Sequence, residues 1–120
     1  STEPAMIVID PATDTVIDRV ILKDNHGGVY KVKYSLDGSK IFTMTLRGAF
    51  VNEVNASDLH GEQKVLTVGK DPMGFAFSPD GKTLLVANHG DGTVSVVDLK
   101  QWKVVNTFHA GTGIETLTYY

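Results

Sequence analysis

The stretch Gly74-Phe-Ala-Phe-Ser-Pro-Asp-Gly-Lys-Thr-Leu-Leu-Val-Ala-Asn-His-Gly-Asp-Gly-Thr-Val-Ser-Val-Val-Asp98 decides how this chain folds. It holds three short apolar runs separated by two glycine-bearing turns. In Ser78-Pro79-Asp80-Gly81 the proline ring fixes one backbone angle and the glycine accepts positive φ, the combination a tight hairpin needs. His89-Gly90-Asp91-Gly92 has the same character without proline. The stretch therefore predicts a three-stranded antiparallel meander, with a fourth strand over 104–108.

Working outward, the rest of the chain reads as imperfect copies. Asp37-Gly38 precedes Asp80-Gly81 by 43 residues, and that offset holds without a gap from Val32/Phe75 to Asn55/Asp98. Tyr34 aligns with Phe77, Ile41 with Leu84, Phe42 with Leu85, and Val51 and Val54 with Val94 and Val97. Asp10 lies 45 residues before Asn55, and Leu117 and Tyr119 lie 42 after Phe75 and Phe77. Each full copy predicts strands A to D, at 30–35, 40–45, 50–55 and 64–68 and again at 73–78, 83–88, 93–98 and 104–108. Strands at 5–9 and 16–21 precede them and one at 115–120 follows.

No segment carries a sustained 3.6-residue apolar period, so helix is expected to be nearly absent. Four-stranded units at this period are the signature of β-propeller blades. Runs such as Leu84-Leu85-Val86-Ala87 are apolar on both sides, as stacked blades require, whereas a lone meander would leave one face polar. A β-sandwich is disfavoured because sandwiches rarely repeat their turn chemistry in register. The expected fold is all-β, a propeller segment of antiparallel blades: a partial blade over 1–25, blades over 26–69 and 70–111, and the first strand of another over 112–120.

Composition narrows the functional classes. The 120 residues are 42% hydrophobic and 21% charged, with formal net charge −3, as in an ordinary soluble domain without a membrane span. Basic residues are scattered, so nucleic acid is not an expected partner. Cysteine is absent, which excludes disulfides and thiolate metal sites. The run Ser1-Thr-Glu-Pro4 lacks a signal pattern, and no targeting segment is expected in the chain.

Strand order assigns loops to faces. D-to-A and B-to-C connections share one end of a propeller, which collects His26, His89 and His109 with Asp24, Arg47, Lys70, Asp71 and Asp91; His60 falls at the opposite end. Three imidazoles and mixed charge on a rigid scaffold are candidate ligand-binding groups, and any metal would have to use His26, His89 and His109. Solvated loop residues explain the same pattern, and there is no His-x-His or His-x-x-x-His spacing. Asp37 and Asp80 are expected to hydrogen-bond their own turns. Asn25-His26-Gly27-Gly28 and Ala110-Gly111-Thr112-Gly113 lack a following helix, so no phosphate cradle is expected. Trp102, in a C-to-D turn, is expected to pack on the neighbouring outer strand. No catalytic constellation can be assembled from spacing alone.

Phe77-Ser-Pro-Asp-Gly-Lys-Thr-Leu-Leu85, Val86-Ala-Asn88, Thr93-Val-Ser-Val-Val-Asp98 and Asp10-Pro-Ala-Thr-Asp-Thr-Val16 together resemble the repeat of YVTN-type β-propellers of archaeal surface layers and bacterial periplasm. The middle copy departs from that pattern, with Thr43-Met-Thr45 for Val-Ala-Asn and Asn55 for the strand-ending Asp. The resemblance implies a periplasmic or extracellular protein. Related propellers serve as binding proteins, as subunits of amine dehydrogenases and as the haem d1 domain of nitrite reductases. The expected function is a non-catalytic binding or assembly module, holding a small ligand or partner protein on the face of His26, His89 and His109. No cofactor is expected. The alternative is part of a periplasmic redox enzyme that uses the propeller as scaffold for haem d1 or copper, or as a quinone-dependent dehydrogenase subunit.

A closed propeller has about 4–8 blades, and this chain accounts for fewer than three. Further blades, from another polypeptide or from copies of the chain, are expected to complete it. The first source is preferred, since a six-bladed homodimer would lack a B strand unless residues 1–4 supplied one. The uncovered faces are expected to carry side chains such as Val32, Ile41, Phe42, Leu84 and Val86 or their repeat equivalents. Several hundred Å2 of wet apolar surface at ~25 cal/mol per Å2 forfeits on the order of 10 kcal/mol.

Overall fold

The computed structural model describes residues 5–23, 29–45 and 48–111, which form ten strands in three antiparallel sheets and no helix. Strands β1 (Ala5–Asp10) and β2 (Thr15–Ile21) pair alone. Strands β3 (Val29–Tyr34), β4 (Lys40–Thr45), β5 (Phe50–Asn55) and β6 (Gln63–Thr67) make one meander, and β7 (Pro72–Phe77), β8 (Thr83–Asn88), β9 (Thr93–Asp98) and β10 (Lys103–His109) make the next. Each of these strands lies within one residue of its expected bounds. The strand expected at 115–120 lies outside the described residues, as do Asp24, His26 and Arg47.

Turn chemistry sets these boundaries. Ser78 and Ser35 donate their N–H groups across the hairpin to the carbonyls of Thr83 and Lys40, both at 2.9 Å, while Gly81 and Gly38 take φ of 72° and 75°. The Asp37 carboxylate accepts from the hydroxyls of Ser39 (2.7 Å) and Ser35 (2.8 Å) and the Ser39 N–H (2.9 Å). Asp80 accepts from the Ser78 hydroxyl (2.6 Å) and the Lys82 N–H (3.0 Å). Hydrogen bonding to the charged form favours it. The Ser39 hydroxyl, with its own N–H and Ser35, draws the Asp37 pKa down to about 2, and the Ser78 hydroxyl lowers that of Asp80. Both carboxylates are therefore turn-builders, as the sequence suggests.

The C-to-D turns use a second device. Strand-ending Asp10, Asn55 and Asp98 accept from the backbone N–H of Ala12 (2.9 Å), Ser57 (3.0 Å) and Gln101 (3.0 Å). Asn55 thus does the work of the aspartate it replaces, because an amide oxygen accepts this bond as well as a carboxylate does.

Alternating side chains give each sheet two faces, and the sheets stack on them. Met6, Val20 and Leu22 meet Ile41 and Val54 in one seam; Phe42, Met44 and Val51 meet Phe75, Phe77, Leu84, Val86 and Val97 in the other. Phe42 is central to the second seam, 5.3 Å from the Phe77 ring and 6.3 Å from the Trp102 ring. One expectation needs correcting. Ile41, Phe42, Leu84 and Val86 are covered by the neighbouring sheet, and of the expected set only Val32 is exposed. The exposed apolar side chains include Ile7, Ile9, Val16, Ile17 and Ile21 of the β1–β2 pair and Val105 and Phe108 of β10.

Candidate functional site

The loop end predicted to carry ligand-binding groups is held together by main-chain hydrogen bonds. The connection entering β7 (68–71) lies against the β8–β9 turn (89–92). His89 donates its N–H to the Asp71 carbonyl at 2.9 Å, Gly90 donates to the Lys70 carbonyl at 3.0 Å, and Lys70 donates its N–H to the Asp91 carboxylate at 2.8 Å. Asp71 in turn donates to the Gly48 carbonyl at 2.7 Å, tying the cluster to the preceding blade. Lys70, Asp71, His89 and Asp91 are therefore neighbours, although they come from two loops about twenty residues apart.

Two features show how tightly this loop pair is built. Asp71 adopts φ of 50°, a left-handed backbone that non-glycine residues rarely take, immediately before Pro72. Gly90 has no room for a side chain, since a Cβ there would lie 2.8 Å from the Asp71 carboxylate and 2.9 Å from the Lys70 Cβ.

The two described histidines of this end sit on different elements. His89 is half-buried within the loop pair, while His109 is the exposed last residue of the outermost strand β10, opposite Thr93, not in a loop beyond it. His26 and Arg47 lie outside the described residues. Among the described residues, no three His, Cys, Asp or Glu side chains are placed to hold a metal ion. At the opposite end, His60 Nε2 lies 2.8 Å from both carboxylate oxygens of Asp18, joining the β5–β6 turn to β2 of the preceding sheet. That hydrogen bond is the main reason the Asp18 pKa is lowered.

No protein-family model matches the chain, and no curated protein matches it. Solved structures do. Hydrazine synthase of Kuenenia stuttgartiensis superposes with a TM-score of 0.72 and 26% identity, over 82% of this chain and 27% of that one. Dihydro-haem d1 dehydrogenase NirN, in complex with DHE, superposes with a TM-score of 0.69 and 20% identity, over 98% of this chain and 26% of that one. This chain is a β-propeller segment. It spans about a quarter of the length of either of these proteins.

Within the propeller, the polar residues that fix one blade to the next were not singled out as such in the sequence. Asn88 is fully buried: its Oδ1 accepts from the Gly69 N–H at 3.1 Å, and its amide donates to Ser95 Oγ (2.9 Å) and Thr93 Oγ1 (3.2 Å). It fastens the connection that enters its own blade. The preceding blade has no Asn at that position, and instead Asn52 of β5 donates to the Lys23 carbonyl at 2.8 Å. Gln63 adds two more bonds to the same segment, accepting from the Lys23 N–H (2.8 Å) and donating to the Ile21 carbonyl (2.7 Å). The signal available in the sequence was the departure at Thr43-Met44-Thr45; what it lacked was the position of the replacement, on the next strand.

Trp102 packs where expected. Its indole N–H donates to the Val65 carbonyl of the neighbouring blade at 3.1 Å, and its ring lies near that of Phe42.

Proposed function

We propose that this chain is part of a YVTN-type β-propeller of the periplasm or cell surface, a non-catalytic module that holds a ligand or partner protein on the loop end of Lys70, Asp71, His89 and Asp91. His26, Arg47 and His109 belong to the same end by strand order. The carrying observation is Asp71, whose left-handed backbone costs about 1–3 kcal/mol and is held by bonds to Gly48 and His89. Strain of this kind persists where the surroundings over-determine it, and a loop pair so fixed presents its side chains with little ordering cost on binding. The residues 26–69 and 70–111 are read as whole blades, flanked by partial ones.

Further propeller blades are the first partner. Ile7, Ile9, Val16, Ile17 and Ile21 leave the β1–β2 sheet exposed between 43% and 64% each, and another blade face would cover them. Sedimentation equilibrium at low micromolar concentration tests this: the chain is expected in an assembly larger than its own 13.0 kDa. A compact monomer that unfolds cooperatively would overturn it.

A second reading is that the propeller scaffolds a redox cofactor such as haem d1 or copper, or serves a quinone-dependent dehydrogenase; a dihydro-haem d1 dehydrogenase is among the structures that share its fold. Visible absorption and metal analysis of the purified protein separate the two. A stoichiometric cofactor lost in H89A or H109A favours the redox scaffold; a protein without one favours the binding module.

A further inference from the structure

Of the five asparagines in the chain, Asn55 is the one followed two residues later by a hydroxyl side chain, in Asn55-Ala56-Ser57. An Asn-x-Ser triplet without proline is the acceptor pattern for N-linked glycans, and it has chemical meaning where the fold leaves the asparagine amide at the surface. The geometry of the turn therefore decides.

Asn55 closes β5, and its main-chain carbonyl accepts from the Asp58 N–H at 3.1 Å. Its side-chain oxygen accepts from both the Ser57 N–H (3.0 Å) and the Ser57 hydroxyl (2.8 Å), so one tight turn holds the two groups of the triplet together. The nitrogen of the same amide is left over. Among the described residues Nδ2 makes no hydrogen bond, and it is not one of the buried polar atoms that lack a partner, so it meets solvent. Asn55 lines an open depression of about 280 Å3 with Lys40, Asp58 and Glu62, while Ala56 and Leu59 pack on the seam of Ile41 and Val54.

The sister turns show that the fold does not require this chemistry. Asp10 and Asp98 hold their turns with a carboxylate oxygen and are followed two residues on by Ala12 and Lys100. An acceptor oxygen is what the turn needs. The amide nitrogen at 55 and the hydroxyl at 57 are additions that occur together, in one turn of the three. Position in the stack matters as well, because this turn belongs to the middle sheet, packed by β1–β2 on one side and by β7–β10 on the other. Its surroundings are already those of a stacked blade, and further blades beyond β2 or β10 leave Asn55 open.

We infer that Asn55 is the attachment site of an N-linked glycan, at the end of the propeller opposite the loop pair of Lys70 and His89. This rests on the periplasmic or cell-surface location proposed above. In the transfer, Nδ2 attacks C1 of the first sugar of an oligosaccharide carried on a polyprenyl diphosphate. The N–C1 bond forms, the C1–O bond to phosphate breaks, the diphosphate leaves with the bonding pair, and one Nδ2 proton passes to a base of the transferase. No atom is oxidised or reduced.

The folded full chain is offered to a purified oligosaccharyltransferase, active on a model Asn-x-Thr peptide, with a polyprenyl diphosphate-linked oligosaccharide, and its intact mass is read. A gain of one glycan is expected, mapping to the peptide that contains Asn55. Asn55→Asp, which copies Asp10 and Asp98, and Ser57→Ala are expected to abolish the gain with the strand spectrum unchanged, and Ser57→Thr is expected to keep it. A folded chain left unmodified while a synthetic peptide of residues 51–61 is modified would show that the fold shields Asn55. A peptide also left unmodified would show that the triplet is no acceptor. Either result overturns the inference, as does a gain that survives Asn55→Asp. Fractionation of the source cells, with the mass of the native protein, separates this from the location: an envelope or extracellular protein without a glycan overturns the attachment alone, and a cytoplasmic one overturns the location and the attachment with it.

Discussion

The two complete blades are copies of one repeat, yet they solve the same structural problem differently. In the second, Asn88 at the end of strand B reaches Gly69 and is itself held by Ser95 and Thr93. In the first, position 45 is threonine, and Asn52 of strand C makes the bond to the incoming connection, at the Lys23 carbonyl. The requirement is a buried donor or acceptor that satisfies the backbone where one blade feeds the next. Which strand supplies it is free to vary, because adjacent strands present neighbouring side chains to the same place. The second difference is the seam row, Phe42-Glu53-Lys64 in the first blade against Leu85 and Val96 in the second.

The largest expected effect lies where the blades meet. Phe42→Ala removes a ring that is 1% exposed and contacts Phe75, Phe77 and Trp102, and is expected to cost about 3–5 kcal/mol in denaturant unfolding. Loss of less than about 1 kcal/mol would mean that the two blades do not depend on their shared seam.

Next is the asparagine exchange. Asn88→Ala strands the Gly69 N–H and two buried hydroxyls, and about 2–3 kcal/mol is expected. Asn52→Ala removes a single bond, and the Oδ1 it deletes is already without a partner, so about 1 kcal/mol is expected. Equal costs in thermal unfolding would break the comparison. Gly69→Ala is expected to resemble Asn88→Ala, since the new Cβ would sit 2.6 Å from the Asn88 side-chain carbon.

Glu53→Val makes the first blade read like the second. Lys40 is 39% exposed and regains water when its partner goes, so stability is expected to be unchanged or to rise by about 1–2 kcal/mol. A clear loss would show that the charged row contributes to packing after all.

The smallest effect is the acid response of the paired hairpins. A carboxyl with a folded-state pKa below its unfolded value stabilises the fold above the unfolded pKa, and that contribution disappears as pH falls through the folded one. For Asp37 the window runs from the ordinary carboxyl value of 3.8 down to about 2. Carboxyl carbon shifts followed against pH are expected to report both depressed values. Ser39→Ala is expected to raise Asp37 toward its ordinary range and to leave Asp80, bonded by Ser78, where it is.

Much of this molecule was legible in the sequence because its determinants are local. Glycine at 38 and 81, the aspartates before them and the short apolar runs between the turns fix hairpins and strands through backbone sterics and short-range hydrogen bonds. The 43-residue offset then carries one blade's pattern onto the next, and the same reasoning placed Lys70, Asp71, His89 and Asp91 at one end. Tertiary structure decided what depends on two blades at once. Only there does Asn52 become the counterpart of Asn88, does Phe42 prove covered by the neighbouring sheet, and does His109 prove to end strand β10 instead of lying in a loop beyond it. Those contacts join residues about 20–60 apart in sequence, whose meeting is set by how sheets stack, and stacking distance is not encoded in any local pattern.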